Sequence, residues 1–141
     1  MINMTTSPVI SKDQINFRGM RILVVDDDTN SREMLSEVLR LYDAEVKTAD
    51  SVPVARNLYQ TWKPALLISD VGMPGEDGYD LIRSIRSFPQ GSNVKAIAIT
   101  GYARDKDRDL AFKAGYDLFL SKPVDLEQLI DLIWENKSEL P

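Results

Sequence analysis

Short apolar runs alternate five times with longer segments of helical periodicity along most of this chain. The run at residues 22–25, Ile-Leu-Val-Val, has no polar interruption, which is typical of a strand buried on both faces. The segment at residues 29–42 instead places Leu35, Val38 and Leu39 three and four positions apart, the spacing of one helical face. Because strands that alternate with helices pair in parallel through right-handed crossovers, the pattern predicts an α/β fold with helices on both faces of one sheet.

The alternation predicts five strands and five helices. The predicted strands are residues 21–26, 44–48, 65–70, 95–100 and 117–121. The predicted helices are residues 29–42, 52–62, 79–87, 106–114 and 126–135. Asn30 and Glu33 have the spacing of a capping box at the start of the first helix, and Gly115 is typical of the residue that ends the fourth.

The length of 141 residues suits a single domain. We assign residues 1–19 to a flexible N-terminal arm or linker, residues 20–137 to the domain and residues 138–141 to a C-terminal tail. The arm lacks a basic segment followed by an apolar one, so it does not resemble a secretory signal. No apolar run approaches the ~18 residues that span a bilayer. We therefore expect a cytoplasmic protein without membrane insertion.

The composition restricts the chemistry. With 22 acidic and 17 basic residues the net charge is −5, so we expect no direct binding of nucleic acid. The chain has no cysteine and no histidine, which excludes disulfides, thiolate metal sites, the commonest general base and the usual zinc ligand. Any metal must therefore be bound by oxygen atoms, as Mg²⁺, Mn²⁺ and Ca²⁺ are.

Polar side chains stand at the carboxyl ends of four predicted strands, the rim where parallel α/β sheets bind ligands. These residues are Asp26, Asp27, Asp28, Asp70, Thr100 and Lys122. Carboxylates that meet at one rim need a counter-charge, which a divalent cation with oxygen ligands supplies. One carboxylate could then attack phosphorus, while the metal and a lysine offset the charge on the transferring group. The set predicts phosphoryl transfer onto an aspartate.

Four segments together resemble the receiver domain of two-component response regulators. In chain order they are ILVVDDD, LLISDVGMPGEDGYDLI, AIAITGYA and DLFLSKPVD. The resemblance covers the chain from about Met20 to Asn136. It implies a flavodoxin-like, doubly wound (βα)5 fold with the parallel strands in the order 2-1-3-4-5.

The resemblance also implies a role for each rim residue. Asp70 is the aspartate that accepts the phosphoryl group. Asp26, Asp27, Asp70 and the backbone carbonyl of Gly72 hold Mg²⁺, or Mn²⁺ in its place, with Asp27 as a direct ligand and Asp26 acting largely through water. Asp28 is instead expected to stabilise the N-terminus of the first helix.

Further residues are implied as catalytic or switch residues. Lys122 and Thr100 assist the transfer to Asp70, and a cis peptide bond precedes Pro123. Thr100 and Phe119 form the switch that reshapes the face made by the fourth helix, the fifth strand and the fifth helix. The same face is the homodimer surface that the resemblance implies.

Two positions are expected to set the lifetime of the phosphorylated form. Gly72 and Tyr102 lie two residues after the acceptor and two after the switch threonine. Gly72 has no side chain to orient a water molecule, and Tyr102 could shield the site. We therefore predict slow self-dephosphorylation.

The resemblance implies a phosphoacceptor signalling domain, with only weak self-phosphotransfer and autophosphatase activity, rather than an enzyme. Because the chain has no histidine, the phosphoryl group is expected from the phosphohistidine of a sensor histidine kinase or a histidine phosphotransfer protein. The segments ITGYA and SKPVD resemble receivers of hybrid sensor kinases, an origin that we favour over a stand-alone regulator. A downstream effector of unknown type is the remaining expected partner.

Three alternatives remain at this point. A phosphatase of the haloacid dehalogenase class would use Asp26 as its nucleophile, and Asp26 with Asp28 nearly matches its paired aspartates, although Thr29 comes one position early. A flavodoxin-like cofactor binder would need a phosphate loop after the first strand, where three carboxylates would repel a phosphate. A degenerate receiver used only for binding is disfavoured by the complete set of rim residues.

Overall fold

The computed structural model describes residues 14–101 and 104–140. Five parallel strands form one sheet in the order β2-β1-β3-β4-β5. The strands are β1 (Arg21–Val25), β2 (Glu45–Ala49), β3 (Leu66–Asp70), β4 (Lys95–Thr100) and β5 (Leu118–Ser121). The helices between and after them are α1 (Thr29–Leu41), α2 (Val52–Trp62), α3 (Gly78–Ser87), α4 (Asp105–Ala114) and α5 (Leu126–Glu135). The predicted α/β fold and strand order are confirmed.

Both faces of the sheet are covered by helices. Along β1, Ile22 and Val24 face the layer formed by α1 and α5, whereas Leu23 and Val25 face the layer formed by α2, α3 and α4. All four side chains are at most 1% exposed. Burial on both faces explains why the run has no polar residue, since a strand with one wet face would alternate.

The N-terminal boundary of the packed unit lies earlier than the sequence suggested. Ile15 and Phe17 are buried in the α1/α5 layer, and the Phe17 ring lies 5.7 Å from the Tyr42 ring at a tilt of 39°. The Phe17 amide donates to the Tyr42 carbonyl at 2.6 Å. This corrects the predicted arm of residues 1–19, of which residues 1–13 lie outside the described part of the chain. Two isolated apolar residues carry no periodic signal, although they fill the space at the end of α1.

The C-terminal segment also packs on the domain. A short 3-10 helix, Lys137–Glu139, follows α5, and Leu140 lies against the α1/α5 layer. The Lys137 ammonium donates to the Asn16 carbonyl at 3.2 Å, so the first and last described segments are in contact. Within residues 14–101 and 104–140, no helix is long and apolar enough to cross a membrane.

Helix ends follow identifiable caps. The Asp28 carboxylate accepts from the Ser31 amide at 2.9 Å and caps α1, so the expected capping box of Asn30 and Glu33 is wrong. A capping box does form at the start of α3, where Asp77 and Asp80 exchange hydrogen bonds with each other's backbone amides. Gly115 ends α4 with φ of 127°, as predicted.

Replacing Phe17 tests whether this residue belongs to the folding unit. We expect Phe17→Ala to lower the free energy of unfolding by about 3–5 kcal/mol, because a fully buried aromatic ring is replaced by a cavity. Urea denaturation measures the change. Leu41→Ala, at a side chain that is 80% exposed, is the control and should change stability by less than ~0.5 kcal/mol. A loss below ~1 kcal/mol for Phe17→Ala would contradict this assignment.

Candidate functional site

The parallel sheet brings the expected rim residues together at its carboxyl edge. Asp70 is the last residue of β3 and Thr100 the last of β4, while Asp26 and Lys122 directly follow β1 and β5. Asp26, Asp70 and Thr100 are buried, at 2%, 7% and 3% exposure. Buried polar groups of this kind require partners at the site, because an unpaired charge in the interior is costly.

Three carboxylates form one cluster. One oxygen from each of Asp26, Asp27 and Asp70 lies within 4.8 Å of the others. Asp27 is exposed, whereas the other two are buried. The Asp28 amide donates to Asp26 Oδ1 at 2.9 Å, and the Gly72 amide donates to Asp70 Oδ1 at 3.1 Å. Each buried carboxylate is therefore oriented by a backbone N–H two residues later.

Lys122 is the cation of the cluster. Its Nζ donates to Asp70 Oδ2 at 3.0 Å and lies 3.6 Å from Asp26 Oδ2. Burial alone would lower the pKa of Lys122, but the hydrogen bond with Asp70 and the charges of Asp70 and Asp26 outweigh it and raise that pKa. The Lys122–Pro123 peptide bond is cis, as the resemblance implies. Lys122 is thus held as a charged group between the two buried carboxylates.

The Asp26 carboxylate is held in an unfavourable environment. Burial raises the pKa of Asp26; the Asp28 amide opposes this rise, and the negative charge of Asp70 adds to it. The nearby Lys122 charge lowers the pKa but does not reverse the rise. Bringing Asp26 and Asp70 to the same rim therefore costs folding free energy at neutral pH, which a bound cation would offset.

The loop from β3 to α3 is closed tightly at its base. The Gly78 amide donates to the Val71 carbonyl at 3.2 Å. A Cβ atom on Gly78 would lie 2.6 Å from both the Asp70 carbonyl oxygen and the Val71 Cα, so only glycine allows α3 to approach this closely. Gly72, at the start of the loop, is exposed. Farther along, Glu76 forms an ion pair with Arg56 of α2 at 2.6 Å.

The two switch candidates lie on adjacent strands. Thr100 ends β4, and its carbonyl accepts from the Lys122 amide at 2.7 Å. Phe119 on β5 is half-buried against the α2/α3/α4 layer, and the Arg108 guanidinium lies 5.7 Å from its ring centre. Tyr102 lies outside the described residues.

Sequence reasoning missed two supports of the site. The Arg32 guanidinium donates to the Asp26 carbonyl at 2.9 Å and so holds the peptide between the two paired aspartates. The Tyr116 hydroxyl donates to the Gly78 carbonyl at 2.7 Å, although these residues lie 38 positions apart. The position of Arg32, one turn into the helix that follows the acidic run, was a usable signal, whereas the sequence carries none for Tyr116.

Comparison with known proteins points to one family. The family described as "Response regulator receiver domain" matches residues 22–134. A 14.6 kDa protein encoded in the sodA1 3′ region of Leptolyngbya boryana is 44% identical over 81% of this chain and 87% of its own length. Sensor histidine kinase RcsC of Salmonella typhi is 33% identical over 86% of this chain, which spans only 13% of that kinase.

Solved structures agree with the sequence comparison. The Vibrio cholerae chemotaxis protein CheY4 superposes with a TM-score of 0.79 at 26% identity, covering 82% of this chain and 97% of the CheY4 chain. These matches do not favour the haloacid dehalogenase alternative. Sequence, fold and the clustered rim residues agree, and the chain belongs to the response regulator receiver domain family of two-component signalling.

Proposed function

We propose that Asp70 accepts a phosphoryl group from a partner's phosphohistidine and that this charge change switches the face formed by α4, β5 and α5. The observation that carries the proposal is the setting of the Asp70 carboxylate. It ends β3 at the sheet's ligand-binding rim, 3.0 Å from the Lys122 ammonium and clustered with Asp26 and Asp27. A carboxylate so placed is a nucleophile with its charge-stabilising partners already in position.

The proposed transfer forms one bond to phosphorus and breaks another. An oxygen lone pair of Asp70 forms the new O–P bond as the P–N bond of the donor breaks, and the electron pair of that bond returns to the imidazole nitrogen. The chain contains no histidine, so the donor imidazole belongs to another protein or domain. Lys122 stabilises negative charge on the phosphoryl oxygens, and the Thr100 hydroxyl would donate to one of them.

The donor set of the cluster fits a hard divalent cation. Carboxylate oxygens are the ligands that Mg²⁺ prefers, and Mn²⁺ accepts the same atoms. The raised pKa of Asp26, caused first by burial, supports a site in which a cation would offset negative charge. Asp26, Asp27, Asp70 and the Gly72 carbonyl would hold the ion. When bound, Mg²⁺ supplies charge neutralisation for the transferring phosphoryl group.

The switch is proposed as a two-state shift driven by the added charge. Thr100 would turn toward the phosphoryl group, and Phe119 would move from its half-buried position toward the core. The α4–β5–α5 face would then present a changed surface to a downstream effector or to a second copy of the chain.

The donor is proposed to be a sensor histidine kinase or a histidine phosphotransfer protein. The relative RcsC is itself named a sensor histidine kinase, and this chain corresponds to a small part of its length. Together with the segments ITGYA and SKPVD, this match supports a receiver within a hybrid kinase, the origin that we favour, whereas the small Leptolyngbya boryana relative supports a stand-alone regulator. Self-phosphotransfer from small acyl phosphates and slow autophosphatase activity would be the only catalysis.

Replacing the acceptor tests the proposal directly. We expect the wild type, treated with acetyl phosphate and Mg²⁺, to gain the mass of one phosphoryl group, and Asp70→Asn to gain none. Intact mass spectrometry measures the gain. Asp50→Asn, at an exposed acidic residue after β2, is the matched control and should be phosphorylated normally. Uptake by Asp70→Asn together with its loss in Asp26→Asn would instead support the phosphatase alternative.

The lifetime of the phosphorylated form is the second prediction. We expect phospho-Asp70 to persist for minutes, and Gly72→Asn to shorten its life several-fold by orienting a water molecule. A Cβ at residue 72 would lie 3.9 Å from Asp70 Oδ1, an ordinary contact, so a side chain can begin there without a clash. Gly75→Asn in the same loop, at a φ of 74° that Asn tolerates, is the control. Wild-type decay within seconds would refute slow dephosphorylation.

Removing the unfavourable charge should stabilise the apo protein. In EDTA near neutral pH, we expect Asp26→Asn to raise the melting temperature by about 2–5 °C, while the exposed Asp131→Asn on α5 changes it little. Because the pKa of Asp26 is raised in the native state, its carboxylate penalty is complete above that pKa and absent below the ordinary value of 3.8. The advantage of Asn should therefore shrink as the pH falls.

Thermal scans from about pH 8 to about pH 3.5, below the ordinary pKa of 3.8, with and without Mg²⁺, measure this. Mg²⁺ should raise the melting temperature of the wild type more than that of Asp26→Asn. A wild type that is insensitive to Mg²⁺, or a less stable Asp26→Asn, would contradict the proposed pocket.

A further inference from the structure

A buried tyrosine, Tyr116, connects the turn between α4 and β5 with the start of α3. Tyr116 is 3% exposed, and its hydroxyl donates to the Gly78 carbonyl at 2.7 Å. The Ser69 hydroxyl, on the residue before the acceptor, donates to the Asp70 carbonyl at 3.0 Å. The phosphoacceptor chemistry described above uses neither hydroxyl. A buried polar group with a defined partner fixes the relative position of the elements that it joins.

The element that Tyr116 holds is the base of the loop that carries Gly72. Gly78 lies in van der Waals range of the peptide between Asp70 and Val71, and its amide closes the loop on the Val71 carbonyl. The hydroxyl of Tyr116 binds the carbonyl of this same glycine. A contact made from the turn between α4 and β5 therefore helps to fix the position of this loop relative to Asp70.

Tyr116 is itself firmly held at its backbone. It lies between Gly115, whose carbonyl accepts from the Arg86 guanidinium at 2.8 and 3.0 Å, and Asp117, whose carboxylate accepts from the same group at 2.9 Å. Its amide donates to the Ala111 carbonyl at the end of α4. The turn between α4 and β5 is thus a fixed support from which the tyrosine ring extends.

We propose that Tyr116 is a positioning residue for the cation site, because its hydroxyl holds the β3–α3 loop, and with it the Gly72 carbonyl, in register with the Asp70 carboxylate. The inference rests on the proposed Mg²⁺ site. Mg²⁺ demands near-ideal octahedral geometry, so a small displacement of one carbonyl ligand weakens binding. The same contact joins the cation site to the α4–β5 turn.

The variant Tyr116→Phe tests this, because it removes the hydroxyl and keeps the aromatic ring. Calorimetric titration of MgCl₂ into the full chain should give a Kd about three- to tenfold higher for Tyr116→Phe than for the wild type. This is less than the ~10–100-fold loss typical when a group bound directly to a metal ligand is removed, since Tyr116 acts through the loop base. Tyr59→Phe, on α2 and stacked on Phe88, is the matched control and should leave the Kd unchanged.

Phosphorylation kinetics supply a second readout. In Tyr116→Phe the Mg²⁺ concentration for half-maximal uptake from acetyl phosphate should rise by the same factor as the Kd, while the rate at saturating Mg²⁺ stays within about twofold of the wild type. A purely structural role would lower the melting temperature and leave the Mg²⁺ dependence unmoved, and that result would overturn the proposal.

Further outcomes separate this inference from the proposed function. Should Tyr116→Phe fail to fold, hydrogen exchange of the Gly78 amide in the wild type tests the same link: saturating Mg²⁺ should slow this exchange, and an unchanged rate overturns the proposal. A wild type that binds no Mg²⁺ also overturns it. A wild type that binds Mg²⁺ with the expected loss in Tyr116→Phe, yet takes up no phosphoryl group, overturns only the proposed function.

Discussion

The burial of neighbouring carboxylates at one rim is the constraint around which this domain is arranged. Asp26 and Asp70 lie at one rim, and burial together with mutual repulsion outweighs the single nearby ammonium of Lys122 in setting the pKa of Asp26. Burying the Asp26 carboxylate there costs folding free energy, which the rest of the structure must offset. The two apolar layers, one on each face of the sheet, provide this compensation. The acidic cluster therefore resembles functional sites that reduce the stability of the domain and are tolerated because the core compensates.

The strand order and register of the sheet determine which residues meet at the rim. β1 and β3 are neighbours, and Val25 is paired with Ser69, so the residues that follow each of them, Asp26 and Asp70, emerge side by side. On the other side of β3, Thr100 of β4 is paired with Ser121, which places Lys122 next to the same rim. The contacts thus come from backbone pairing along whole strands, and the side chains need little freedom of their own.

The sequence predicted what is local or periodic and missed what depends on distant contacts. Unbroken apolar runs revealed the strands, and their carboxyl ends identified the acidic cluster, because parallel topology makes those ends converge. Ile15 and Phe17 were assigned to a flexible arm, because two apolar residues outside a periodic pattern do not indicate that they pack against the end of α1. The Tyr116–Gly78 hydrogen bond could not be predicted, because it joins residues 38 positions apart that come together only in the folded domain. At α1 the prediction that Asp28 favours the helix start is confirmed, whereas the capping box at Asn30 is wrong, since Asp and Asn are equally good caps by type.

The contact between Lys137 and Asn16 has a consequence for how the domain can be joined to others. The chain enters and leaves the packed unit side by side, at the edge remote from the acidic rim. Flanking segments can therefore be attached at both ends without crossing the rim. A linker joining the two ends would be short, so a circularly permuted chain opened at an exposed loop would keep the same sheet order. The domain can thus be joined to different partners while the arrangement of its acidic rim is kept.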